Sequence, residues 1–204
     1  MNQVSIRFAD PARDAGRILA VYRPFIENTA ITFEDEVPGE AAFARRVADI
    51  ARDFPYLLLE VDGELAGYAY AHRQHERAAY AWNAELTIYL DARWQHKGLG
   101  APLYALLMRL LERQGYISFF ALITASNAAS LALHEKLGFA QVGYHARTGW
   151  KFGAWHDVAW LCRRAHDGKP GKIVPVGALD ADAVAREIAE TEAEIFRRLS
   201  SEKP

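Results

Sequence analysis

The chain has 204 residues, 51% of them apolar and 25% charged, the mixture of one globular domain with a sizeable core, which excludes a mostly disordered or low-complexity chain. Twenty-four Lys and Arg against 26 Asp and Glu leave a formal charge of −2, so no overall positive field draws the protein to nucleic acid or an anionic membrane, and a small molecule is the expected partner. Cys162 is the single cysteine, which excludes an internal disulfide and a multi-cysteine zinc site and is expected to be a small buried hydrophobe.

The opening MNQVSIRFADPARD lacks the apolar core of a secretory signal, and no run approaches the ~20 apolar residues of a membrane helix. A cytoplasmic location is expected. Val4 to Phe8 alternates like a strand. After Asp10-Pro11, residues Ile18, Leu19, Tyr22, Phe25 and Ile26 recur at helical spacing. Glu27 to Pro38 has no period and reads as an ordered loop. A second amphipathic helix follows Pro38-Gly39, with Phe43, Val47 and Ile50 inward.

Tyr56 to Val61, the turn pair Asp62-Gly63 and Leu65 to Ala71 predict a hairpin. Tyr80 to Leu90 reads as a long strand interrupted in polarity by Glu85. Leu99 to Leu111 predicts a buried helix, Ile117 to Thr124 a strand, and Ala128 to Leu137 a helix stopped by Gly138. The charges from Arg109 to Arg113 read as a solvated helix face. Phe139 to His145 and Trp155 to Arg164 are two further strands, joined by a Gly- and aromatic-containing connection over residues 147–153.

The domain is expected to span residues 1–165, followed by a Gly/Pro-bearing linker, 166–178, and a helical extension, 179–204. In that extension Val184, Ile188, Ile195 and Leu199 form a thin apolar stripe. It suits docking on its own domain or, slightly preferred, on another subunit, so a homodimer is a possible assembly.

The segment Gln95-His96-Lys97-Gly98-Leu99-Gly100-Ala101 lies between a strand and a helix, where glycines let a ligand approach and the helix N-terminus offers free N–H groups to phosphate. It is neither a Walker A loop nor a Gly-x-Gly-x-x-Gly fingerprint. Taken alone, a tight strand-to-helix turn explains it equally well. Downstream lie Asn127 and His134-Glu135-Lys136-Leu137-Gly138-Phe139. Together these resemble the acetyl-CoA-binding motif and the Asn…Leu-Gly-Phe segment of the GNAT superfamily of N-acetyltransferases.

The match tightens to the phosphinothricin and methionine sulfone acetyltransferase group through several further segments. These are Phe33, Gly67 to Ala71, Arg77, Tyr80 with Trp82, Glu85, Tyr104, Leu133 to Glu135, Gly149 to Lys151 and Gly153 to Val158. The resemblance covers roughly residues 4 to 164. It implies an α/β acyl-CoA N-acyltransferase fold, a mixed and mostly antiparallel sheet flanked by helices and opened in the middle to receive acetyl-CoA, with the C-terminal helix as an addition.

Acetyl transfer to an amine needs a base, because an ammonium has no lone pair, and needs stabilisation of the thioester oxygen. Glu85, in an apolar and aromatic strand, suits the base through partial desolvation. His134 stands where much of the superfamily carries a tyrosine acting as acid, and is expected to be an acid or a second proton-handling group. By the resemblance, the backbone of Ile88, Tyr89 and Leu90 meets the pantetheine arm, Gln95 to Ala101 hold the pyrophosphate, and Asn127 contacts or orders the arm.

An acceptor with a carboxylate and a second polar head suits Arg77 and Tyr80, with Phe33, His75 and Thr87 completing the substrate side and Trp150 as a further apolar wall. His75 replaces the group's typical lysine, and Leu86 follows Glu85 where a small polar residue is usual. The scattered histidines show no metal-ligand spacing, so acetyl-CoA is the expected co-substrate and no metal is expected. Two other readings are an acetyltransferase for another small amine or peptide, and a non-catalytic acyl-CoA-binding domain.

Overall fold

The computed structural model describes residues 3–201. Seven strands, β1 (Val4–Phe8), β2 (Tyr56–Val61), β3 (Glu64–Arg73), β4 (Asn83–Leu90), β5 (Ser118–Thr124), β6 (Ala140–Lys151) and β7 (Ala154–Arg164), form one sheet in the order β1-β2-β3-β4-β5-β7-β6. Every neighbouring pair is antiparallel except β4 with β5, so the expected mixed, mostly antiparallel sheet flanked by helices is the one observed. The helices are α1 (Pro11–Asn28), α2 (Glu40–Ala51), α3 (Gly100–Gln114), α4 (Ala128–Lys136) and α5 (Ala181–Ser201). Among the described residues no helix is long and apolar enough to cross a membrane.

Both faces of the sheet are covered, which explains why β2 is apolar from Tyr56 to Leu59: Leu57, Leu58 and Leu59 are all fully buried. Strand alternation divides them. Leu57, Leu59 and Val61 join a core with α3 and α5, whereas Tyr56 and Leu58 join a second core with α1 and α2. Local chemistry sets the helix ends. The Asp10 carboxylate accepts from the amides of Ala12 (3.0 Å) and Arg13 (3.4 Å), with Pro11 opening α1; Gly115, at φ 100°, closes α3.

Five expectations are corrected. The strand predicted from Tyr80 begins at Asn83, because Ala78–Tyr80 close a 3₁₀ turn. The predicted connection 147–153 is mostly strand: β6 and β7 form one hairpin reversed by Phe152 and Gly153, both at positive φ, a geometry that glycine signals and phenylalanine conceals. The third refines the charged run from Arg109 to Arg113, whose two arginines stay 43% and 47% exposed but also make a tertiary contact. Both bind the carboxylate of Glu187 on α5, Arg109 at 3.1 Å.

That contact also decides where α5 goes. Its buried stripe, Ala183, Val184, Glu187, Thr191, Ile195 and Leu199, packs on α3 and β1 of the same chain, and Glu192 accepts the Ile6 amide at 2.6 Å, so the slight preference for another subunit is overturned. The segment before α5 is stitched down by fully buried Gln114, whose side-chain amide donates to the carbonyls of Asp53 (2.7 Å) and Val174 (2.9 Å). Cys162 is half-buried in β7, less enclosed than expected.

Candidate active site

The parallel pairing of β4 with β5 lasts three residues, Asn83 to Glu85 against Ser118 to Phe120. Beyond it β4 continues beside β3 and β5 continues beside β7, so the strands part and each leaves one edge unpaired. A cavity of about 90 Å³ occupies the split, lined by Leu86 to Tyr89, Ala121 to Thr124, Asn127, Ser130, Tyr104 and His134, with Ile31 above it. It adjoins a groove of about 320 Å³ that runs from Ile88–Leu90 to the start of α3.

Glu85 is the last residue of β4 paired with β5, at the closed end of the split. Alternation places it with Thr87 and Tyr89 on the α1/α2 face, opposite His72 and Tyr70 of β3. Desolvation pushes its carboxyl above the ordinary 4.5; His72, with Nε2 at 3.7 Å, and then His75 pull it back only in part. His72 was not singled out in the sequence, because only the β3–β4 register brings it opposite Glu85.

His134 reaches the split from the other face and is 3% exposed. Its Nδ1 lies 2.8 Å from the Ser130 carbonyl, which only accepts, so Nδ1 carries the proton and Nε2 accepts from the Tyr104 hydroxyl at 2.9 Å. Burial lowers the imidazole pKa, outweighing the Ser130 carbonyl bond that raises it. The neutral ring therefore has no Nε2 proton to donate. The proton-bearing group between them is Tyr104, fully buried on α3.

The segment Gln95 to Ala101 turns the chain tightly from β4 into α3. His96 and Gly98 take positive φ values of 61° and 69°, turning the chain into α3. The Leu103 amide bonds back to Leu99, Pro102 has no N–H, and the amides of Gly100 and Ala101 precede the first intrahelical bond. These unmatched donors beside a groove are what a pyrophosphate requires, so the residues present fit acetyl-CoA. Ile88, Tyr89, Leu90, Gln95, His96, Gly98, Leu99, Gly100, Ala101 and Asn127 all line the groove.

Several of these side chains have local tasks. The side-chain amide of Gln95 donates to the Leu90 carbonyl (2.9 Å), Asn127 caps α4 by accepting from the Ser130 amide (3.2 Å), and Leu99 is buried in the core. Lys97 does not line the groove with its side chain; its ammonium sits 4.6 Å from the centre of the Trp94 ring.

On the substrate side, the rings of His75 and Tyr80 meet at 4.8 Å, tilted by 53°, on the exposed segment between β3 and β4, and Arg77 is exposed between them in sequence. Phe33 belongs to the loop between α1 and α2, which lies across the split and is pinned from several sides. Thr124 donates to the Ala30 carbonyl (2.7 Å), and Arg46 binds Glu34 at 2.6 Å. Buried Lys151 donates to the carbonyls of Ile26 (2.7 Å) and Thr32 (2.9 Å), although desolvation lowers its pKa against the opposing Asp35 and Glu34.

The Phe33 ring rests directly on Gly149, where any β-carbon would overlap it. Gly149 and Lys151 face inward, while Trp150, 56% exposed, points away against Trp155; it does not wall the site with Phe33. Among the described residues no group of three or more His, Cys, Asp or Glu side chains is placed to hold a metal.

The chain matches a family model described as an acetyltransferase (GNAT) domain over residues 6–160. It is 36% identical over 160 residues to the phosphinothricin N-acetyltransferase of Streptomyces viridochromogenes, covering 78% of this chain and 87% of that enzyme. It is 31% identical over 159 residues to the L-methionine sulfoximine/L-methionine sulfone acetyltransferase of Salmonella typhimurium, covering 78% and 92%. Among solved structures it resembles the GNAT superfamily phosphinothricin acetyltransferase of Sinorhizobium meliloti in complex with AcCoA. The TM-score is 0.78 and the identity 32%, over 88% of this chain and 97% of that one.

Proposed function

The chain belongs to the acetyltransferase (GNAT) domain family, and from that premise we propose that it acetylates the amino group of a small, acidic amino-acid analogue of the phosphinothricin, methionine sulfone or methionine sulfoximine kind. The observation that carries this reading is Glu85: a carboxylate held above its ordinary pKa where β4 and β5 part, on the sheet face that α1 and α2 cover. Acetyl-CoA, bound along the groove with its pyrophosphate on Gly98 to Ala101, supplies a thioester carbonyl open to attack. Glu85 takes the ammonium proton, directly or through water, and frees the lone pair.

The unpaired β4 edge from Leu86 to Leu90 offers backbone groups to the pantetheine arm and to the thioester oxygen. His134 is read as the acceptor that holds the Tyr104 hydroxyl in place; Tyr104 protonates the leaving thiolate once that hydroxyl turns from Nε2 to the sulfur, and the phenolate left behind is reprotonated from solvent. Acetylation removes the charge of the acceptor's amine, which fits detoxification in the cytoplasm.

Free-thiol release from acetyl-CoA tests the substrate class across phosphinothricin, methionine sulfone, methionine sulfoximine, ordinary amino acids and polyamines. The three analogues are expected to lead. Arg77→Ala is expected to raise their KM about tenfold, the worth of one charge-assisted hydrogen bond, with the acetyl-CoA KM unchanged. A preference for polyamines or peptides moves the acceptor to another class; binding of acetyl-CoA without thiol release from any acceptor leaves a binding domain.

A homodimer through the β6–β7 hairpin is part of the same proposal. β6 is an edge strand of 12 residues, and Val142, Tyr144, Trp150, Phe152 and Trp155 stay exposed on this hairpin, an apolar surface of the kind a second copy covers. Light scattering is expected to give twice the chain mass, and Trp150→Glu with Phe152→Glu the mass of one chain; a wild-type monomer removes the assembly.

A further inference from the structure

Resting on the acetyl-CoA reading above, we propose that α5 completes the phosphate end of the groove, with Arg198 binding a phosphate of the co-substrate. Arg198 lies in the last turns of α5, far beyond the family match at residues 6–160, so the domain model does not include it. Yet it lines the groove together with His96, Gly98 and Lys136. Its Nη1 donates to the Gly98 carbonyl at 3.3 Å, which sets the guanidinium against the positive-φ glycine that opens the cradle.

The helix that carries Arg198 is firmly placed. Ile195 and Leu199, which flank it, are 0% and 6% exposed, and Glu187 ties α5 to Arg109 and Arg113 of α3. The two helices thus hold the arginine and the free amides of Gly100 and Ala101 in one fixed relation.

The donor inventory leaves room for an anion. Of the five guanidinium N–H groups, Nε and one on Nη2 go to Glu194 and one on Nη1 goes to Gly98, so among the described residues one N–H on each terminal nitrogen has no partner. The N–H groups left on Nη1 and Nη2 are the donors available to two oxygens of a phosphate. Glu194 fixes the orientation of the side chain, which remains 37% exposed toward solvent. Both the pyrophosphate and the ribose 3′-phosphate of acetyl-CoA have the required chemistry.

The test is calorimetric titration of the full chain with acetyl-CoA and with its 3′-dephospho form, using wild type, Arg198→Gln and Arg198→Lys, and a thermal melt of each free protein. Arg198→Gln is expected to weaken acetyl-CoA binding about five- to tenfold, with Arg198→Lys between it and wild type, because lysine keeps the charge but not the guanidinium N–H donors. A penalty confined to acetyl-CoA assigns the 3′-phosphate, and a penalty on both ligands assigns the pyrophosphate. Wild-type affinity in Arg198→Gln overturns the proposal. So do equal losses in both variants accompanied by lowered melting temperatures, which make Arg198 a staple for α5. A wild-type chain that binds neither ligand removes the parent reading as well.

Discussion

Glu85→Gln is expected to lower kcat by about a hundred- to a thousandfold, the range for losing a positioned general base, while acetyl-CoA affinity stays within a factor of two of wild type, about 0.4 kcal/mol. The amide keeps the shape and loses the ability to accept a proton. The pH profile carries the sharper test. Burial raises the Glu85 carboxyl above 4.5, so the wild-type rate climbs with pH through that raised value as the ionised base accumulates. This limb is absent from the residual rate of the glutamine variant.

Stability moves the opposite way. A carboxyl with its folded pKa raised binds more protons folded than unfolded between the two values, so stability is lost as pH rises through that window and the cost persists at neutral pH. Glutamine removes the cost, and the variant is expected to melt above wild type at pH 7. Equal falls in turnover and acetyl-CoA affinity, or an unchanged acid limb, contradict the assignment.

Asp14→Asn is expected to cost about 3 kcal/mol, the usual penalty for breaking a buried charge pair, and to lower the melting temperature by about 10 °C in a domain of this size. Asp14 is fully buried at the start of α1, where the Arg7 guanidinium meets both of its oxygens at 2.6 and 2.8 Å and the Asp10 amide donates at 2.8 Å. Arg7 and Arg17 share Glu60 on β2, so the cluster joins α1, β1 and β2.

Desolvation alone pushes the Asp14 carboxyl up, but the bonds from Arg7, Asp10 and Arg13 outweigh it and hold the group well below the usual carboxylate range. With the folded pKa depressed, the stabilisation is present above the unfolded-chain value of about 3.9 and disappears as pH falls through the folded value. Urea melts of wild type and variant are therefore expected to differ widely at pH 7 and to converge in acid. A constant gap across that range refutes the linkage.

The elements legible in the chain were those with a local cause: the cap of Asp10-Pro11, the Asp62-Gly63 turn, the stop at Gly138, and the 3.6 period of α1, α2 and α5. The resemblance read from Gln95 to Ala101, Asn127 and Leu137-Gly138-Phe139 led to the family the chain belongs to. The β6–β7 turn escaped because Phe152 at φ 51° carries no turn signature, and Gly149 drew attention as a loop glycine when its real task is to seat Phe33.

What the sequence determined by itself is whatever neighbouring residues decide: helix caps, turns, alternation along strands, and the glycines and α3 start that make an anion cradle. Tertiary structure alone decided the rest. Register set His72 opposite Glu85, packing fixed the His134 tautomer through Ser130 and Tyr104, and docking of α5 made the partly exposed Arg109 and Arg113 partners of Glu187. The reason is physical: each depends on atoms from segments far apart in the chain, and desolvation and hydrogen-bond partners exist only once those segments meet.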